Sequence, residues 1–77
     1  MPIMVRYFAS LKDRMGRAAE VVSESEARTV QEVWNRVADG APMPANTLVA
    51  VNLDYVDRNH PVGSGDEVAF FPPVTGG

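Results

Sequence analysis

Thr29-Val30-Gln31-Glu32 is the feature that most narrows what this chain can fold into. A threonine hydroxyl and a glutamate carboxylate three residues later satisfy the backbone donors that a helix start leaves open. Val30, Val33, Trp34 and Val37 follow at helical spacing and form one apolar stripe, and Gly40 followed by Pro42 supplies the stop. An amphipathic helix must bury its stripe against another element, and the segments around it are of strand length. Ile3, Val5 and Tyr7 alternate with Met4, Arg6 and Phe8, which predicts a strand with one mainly apolar face and places Phe8 on the other. Residues 9–15 read as a short helix closed by Gly16, and residues 18–22 as a returning strand. Leu48-Val49-Ala50-Val51 is nearly continuous in apolar character, as an interior strand is. Asn52-Leu53-Asp54 offers turn chemistry before a short Tyr55-Val56 strand, and Gly63-Ser64-Gly65-Asp66 turns the chain into a last strand over residues 67–71.

The order is therefore ββαβββ. It predicts an α+β fold of the β-grasp (ubiquitin-like) pattern, a mixed sheet with one main helix packed on one face. The 77 residues, 45% of them hydrophobic, suit one core and leave no room for a second. The division is a β-grasp domain over 1–71 and a flexible Gly-Gly tail over 72–77. A formal charge of −3 lacks the basic excess of a nucleic-acid footprint. The opening residues lack the basic start and apolar run of a signal peptide, and no segment is long and apolar enough for a bilayer, so the cytoplasm is the expected setting, with no nucleic-acid and no membrane partner. The chain has no cysteine, which removes disulfides, thiolate metal ligands and a thiol nucleophile together.

Side chains for catalysis are scarce. His60, the single histidine, stands between Asn59 and Pro61 with no second ligand at metal spacing, and reads as a loop or surface residue. Asp54, Asp57, Asp66 and Glu67 invite an acid–base reading, yet three of them fall in turns, where carboxylates serve local hydrogen bonds. Gly63-Ser64-Gly65 lacks the lysine ending and the following helix of a phosphate loop. Ser10, Ser23 and Ser25 have no activating partner in view. The chain end differs. Pro72-Pro73 fixes an extended backbone and removes two amide donors, so the sheet stops there, and the six residues 72–77 reach at most ~20 Å. Gly76 and Gly77 carry no Cβ and fit a narrow channel. Two readings stand at this point, a substrate arm or a frayed terminus.

Val49-Ala50-Val51-Asn52, His60-Pro61 and above all the run from Gly65 to the end, Gly65-Asp66-Glu67-Val68-Ala69-Phe70-Phe71-Pro72-Pro73-Val74-Thr75-Gly76-Gly77, resemble the molybdopterin synthase small-subunit (MoaD) family of sulfur carriers. The opening, Val5-Arg6-Tyr7-Phe8-Ala9 with residues 11–16, is similar to that family's first strand and short helix. Between residues 18 and 46 the likeness is one of pattern. The resemblance implies a sulfur carrier in molybdenum cofactor biosynthesis. A ubiquitin-activating-like (E1-like) adenylyltransferase would use ATP and Mg to adenylate Gly77. A sulfur donor would turn the acyl-adenylate into a thiocarboxylate. The large subunit, joined with this chain in a heterotetramer, would use that sulfur on cyclic pyranopterin monophosphate. No cofactor would be bound by this chain, and catalytic side chains would belong to the partners.

Phe70 and Phe71 are neighbours in a strand, so one ring faces the core and the other faces out beside the tail. Phe8, Tyr55 and Phe71, with Lys12 at the rim and Pro72, Pro73, Val74 and Thr75 leading to Gly76 and Gly77, are the candidate partner interface. A second small core beneath the loops is the alternative for the three rings. The rival functions are another ubiquitin-like carrier, for thiazole formation or protein conjugation, and a β-grasp binding module with an inert tail.

Overall fold

The computed structural model describes residues 1–73. Its elements are β1 (Ile3–Tyr7), α1 (Ser10–Met15), β2 (Ala19–Val22), α2 (Val30–Val37), β3 (Leu48–Val51), β4 (Asp54–Val56) and β5 (Glu67–Phe71). The strands form one five-stranded sheet in the order β2-β1-β5-β3-β4. β1 pairs with β5 in parallel, and the other pairings are antiparallel. The expected ββαβββ order and mixed sheet are what the structure holds.

Alternation along the strands decides which residues meet the helix. Ile3, Val5 and Tyr7 of β1, Val22 of β2, Val49 and Val51 of β3, and Val68 and Phe70 of β5 form the core, together with Val30, Val33 and Trp34 of α2. Trp34 packs edge-on against Phe70 at 5.1 Å between ring centroids, and its indole N–H donates to the Ala41 carbonyl at 2.9 Å. The one polar atom of the largest core side chain is thereby satisfied, which removes the cost of burying it. Tyr7 stacks on Phe70 at 6.2 Å between centroids and donates its hydroxyl proton to Glu20 at 2.5 Å. Burial, and next the hydrogen bond to Glu20, hold the Tyr7 phenol well above its usual titration range.

The helix start follows the predicted chemistry with one change of partner. Thr29 Oγ1 accepts from the Glu32 amide at 3.1 Å, while the Glu32 carboxylate accepts from the Arg28 amide at 2.8 Å, one residue before the cap itself. α2 ends at Val37, and Gly40, at φ 84°, returns its amide to the Asn35 carbonyl. α1 begins at Ser10, one residue later than expected, because Ala9 adopts φ 52°, ψ −128°, a conformation that breaks from β1 without entering a helix. Asp54, expected in a turn, is the first residue of β4, and the turn is carried by Asn52 and Leu53 alone.

Candidate functional site

Among the described residues, the face of the sheet turned away from α2 carries no helix. Residues that pair directly across strands share a face, so Leu48 lies beside Phe71, and Ala50 lies between Ala69 and Tyr55. These side chains all point to the open side. Phe8 leaves β1 on that side and stacks on Phe71 at 4.6 Å between centroids with 7° between ring planes. Tyr55 approaches Phe71 at 6.2 Å in a tilted arrangement. Phe8 and Tyr55 are 41% and 72% exposed, so the rings form a row on an open face and not a second core beneath loops.

Ala50 and Ala69 form the floor. Their small side chains leave a groove of about 250 Å³ lined by Phe8, Ala50, Leu53, Tyr55, Glu67, Ala69 and Phe71. Glu67 is its charged member and accepts from Arg6 Nε at 2.9 Å. The Arg6–Glu67 pair lies on the same open face, because Arg6 is opposite Ala69 and Glu67 is opposite Met4 in the β1–β5 register. Lys12 is exposed on α1 and is not one of the residues that line the groove.

One end of the groove is set by the β3–β4 turn. Asn52 and Leu53 have φ of 51° and 74°, the left-handed pair that matches the twist of a two-residue hairpin. Asn52 is clamped to the start of β5. Its amide donates to the Glu67 carbonyl at 2.9 Å, its side-chain NH₂ donates to Asp66 at 3.0 Å, and its side-chain oxygen accepts from the Glu67 amide at 3.0 Å. Asp66 also accepts from the Gly63 amide at 2.8 Å. The Asn52 hydrogen bond first, and the Gly63 amide second, hold the Asp66 carboxyl below its ordinary range. Leu53 was not among the residues picked out from the sequence. The available signal was an apolar residue at a hairpin position that ordinarily takes glycine or asparagine.

β5 ends at Phe71, as two successive prolines require. Pro72 is half-buried and Pro73 is exposed. Val74, Thr75, Gly76 and Gly77 lie outside the described residues. His60 sits in the loop before Pro61, where its carbonyl accepts from the Val30 amide and its own amide donates to Asp57. Asp57 accepts from the Asn59 amide at 2.8 Å, the local turn role expected of it. Among the described residues no group of three or more His, Asp or Glu side chains is placed to hold a metal ion, and no helix is long and apolar enough to cross a membrane. A second depression, between β2 and α2, is lined by charged residues already paired as Arg17 with Glu20 and Arg36 with Glu26, which gives it a structural reading.

Comparison with known proteins agrees with the fold and extends to the end of the chain. The ThiS family matches residues 5–77. The molybdopterin synthase sulfur carrier subunit of Escherichia coli is 38% identical over 97% of this chain and 99% of that protein. Among solved structures, the small archaeal modifier protein 1 of Haloferax volcanii superposes with a TM-score of 0.82 at 21% identity, covering all of both chains. Subunit 1 of the Helicobacter pylori molybdopterin-converting factor, solved in a complex of its subunits 1 and 2, superposes at 0.68 with 23% identity, again over all of both chains. At these identities the two structures speak for the β-grasp fold alone. The chain belongs to the ThiS family and groups with the molybdopterin synthase sulfur carrier subunits.

Proposed function

We propose that this chain carries sulfur on the carboxylate of Gly77 and delivers it, as the small subunit of a molybdopterin synthase, to cyclic pyranopterin monophosphate. The observation that carries the reading is the family match running through Gly77 on a domain whose sheet stops at Phe71 beside an open aromatic face. A carboxylate is a poor acyl donor because oxide leaves badly. Attack of the Gly77 carboxylate on the α-phosphorus of ATP, with Mg on the activating adenylyltransferase, expels pyrophosphate and leaves an acyl-adenylate. Sulfur from a donor then forms the C–S bond as AMP departs. In the synthase the thiocarboxylate gives up its sulfur to the pterin precursor, and water restores the carboxylate oxygen.

This chain's own part is delivery. Pro72-Pro73 directs the backbone out of the sheet, and glycines at the end ask for a channel of backbone width only. The open face with Phe8, Tyr55 and Phe71 is the surface for the large subunit, and the Helicobacter relative found in a two-subunit complex supports such a partner. The reaction chemistry and the localisation expected for it, in the cytoplasm, belong to this same proposal. Incubation with the activating enzyme, ATP, Mg and sulfide, followed by mass spectrometry of the C-terminal peptide, tests it. The expected result is a mass gain equal to the replacement of one oxygen by sulfur, on Gly77. A chain that stays unmodified but still binds the large subunit, and binds it equally well after removal of Gly76-Gly77, is a docking module instead.

A further inference from the structure

Leu53 is the most exposed large apolar side chain among the described residues, at 87%, and it lines the groove that Phe8, Tyr55 and Phe71 share. It also holds φ 74°, a left-handed conformation that costs a leucine free energy and costs glycine almost none. The Asn52 clamp on Asp66 and Glu67 leaves the turn no easy relaxation. Exposure and strain at one residue are both unfavourable in the isolated domain. The groove it borders has small alanines for a floor, so an inserted side chain would be contacted from several sides.

The occupant follows from the length of chain beyond Pro73. Residues 74–77 reach ~13 Å at full extension, so a protein that encloses Gly77 must rest against the surface from which Pro73 emerges. Phe71, two residues before Pro73, lies on the aromatic face, so that face borders the point where the chain leaves the sheet. Resting on the proposed function, we infer that Leu53 is a binding contact for the large subunit, which places one of its apolar side chains in the groove that Leu53 and Phe71 both line. The strained turn projects Leu53 before the partner arrives, so little ordering is left for the moment of binding.

Isothermal calorimetry of the full chain with purified large subunit, with thermal melts alongside, tests this. Leu53→Gly and Leu53→Asn both accept the left-handed turn, and both are expected to melt at or above the wild-type temperature while binding about tenfold more weakly. Leu53→Met keeps an apolar chain at the same place and is expected to bind near the wild-type level. Phe71→Ala is the control for the face itself. If Phe71→Ala weakens binding and Leu53→Gly and Leu53→Asn leave it unchanged, the inference about Leu53 is wrong and the docking face stands. If neither site matters, the docking face falls and this inference falls with it. Self-association of the wild-type chain by sedimentation, lost in Leu53→Gly while binding of the large subunit persists, would assign Leu53 to a contact between two copies and overturn the proposal.

Discussion

Ala9 shows how a single residue can hold the site in shape at a cost to the fold. At φ 52°, ψ −128° its methyl group occupies backbone space that glycine alone visits freely, and it stands between Phe8, stacked on Phe71, and the first turn of α1. The Leu11 amide bonds back to the Phe8 carbonyl at 3.1 Å, so the bend is closed and the conformation is imposed. Ala9→Gly removes the steric penalty and restores some unfolded-state entropy. The balance is expected to be a gain of about 1 kcal/mol, read as a higher urea midpoint with unchanged slope. A lower midpoint would mean that the bend is not strained. In the proposed function Gly77 bears the chemistry, and each step would make a separate demand on it. One added residue converts its carboxylate to an amide and is expected to abolish thiocarboxylate formation. Gly77→Ala retains the carboxylate but adds a Cβ, so activation should slow while the melting temperature stays where it was. Normal sulfur transfer by an untrimmed extended chain would remove Gly77 from that role.

Among the elements, the β3–β4 hairpin depends on a group far along the chain. Asp66 precedes β5, yet it holds the Asn52 side chain and the Gly63 amide, and those bonds depress its pKa. A depressed carboxylate contributes stability that is complete above its unfolded-state value, ordinarily 3.8, and is lost as pH falls through the folded-state value. Asp66→Asn should therefore be less stable than the native chain at neutral pH, and the gap should narrow as the solution is taken below that ordinary value. Denaturant melts at a series of pH values measure it, and a gap that stays constant into strong acid would show that the ionised form of Asp66 is not what matters. Arg6–Glu67 is another matter, since exposed ion pairs of this kind contribute little to stability, ~0–1 kcal/mol.

The whole molecule divides its aromatic side chains between two jobs on opposite faces of one sheet. Trp34, Tyr7 and Phe70 are packed in the core, and Phe8, Tyr55 and Phe71 stand on the other side. A domain of this size has only a few kcal/mol of net stability. Trp34→Ala is expected to cost ~3–5 kcal/mol, enough to unfold much of the population at 37 °C. Phe71→Ala removes a ring that is already partly in water and should lower the melting temperature by only a few degrees, while weakening binding to the large subunit. Circular dichroism melts of the two variants separate the classes. Equal destabilisation would place Phe71 in the core's cooperative unit.

Local chemistry determined most of the elements. The Thr29–Glu32 box, the alternation in residues 3–7, the double proline and the left-handed Gly16 each act within a few residues of themselves, so their outcome was legible before any tertiary contact formed. Residue parity in β5 also sufficed to send Phe70 inward and Phe71 outward. What only the tertiary structure decided is what depends on register between distant strands. The parallel β1–β5 pairing brings Phe8 onto Phe71, and the β3–β5 and β3–β4 registers set Ala69, Ala50 and Tyr55 side by side, creating a groove that no single segment contains. The Asn52–Leu53 turn was legible as a turn, but that it would set a side chain at the edge of that groove was not. Its direction follows from a left-handed backbone locked by Asp66 and Glu67, residues brought alongside only when the sheet closes.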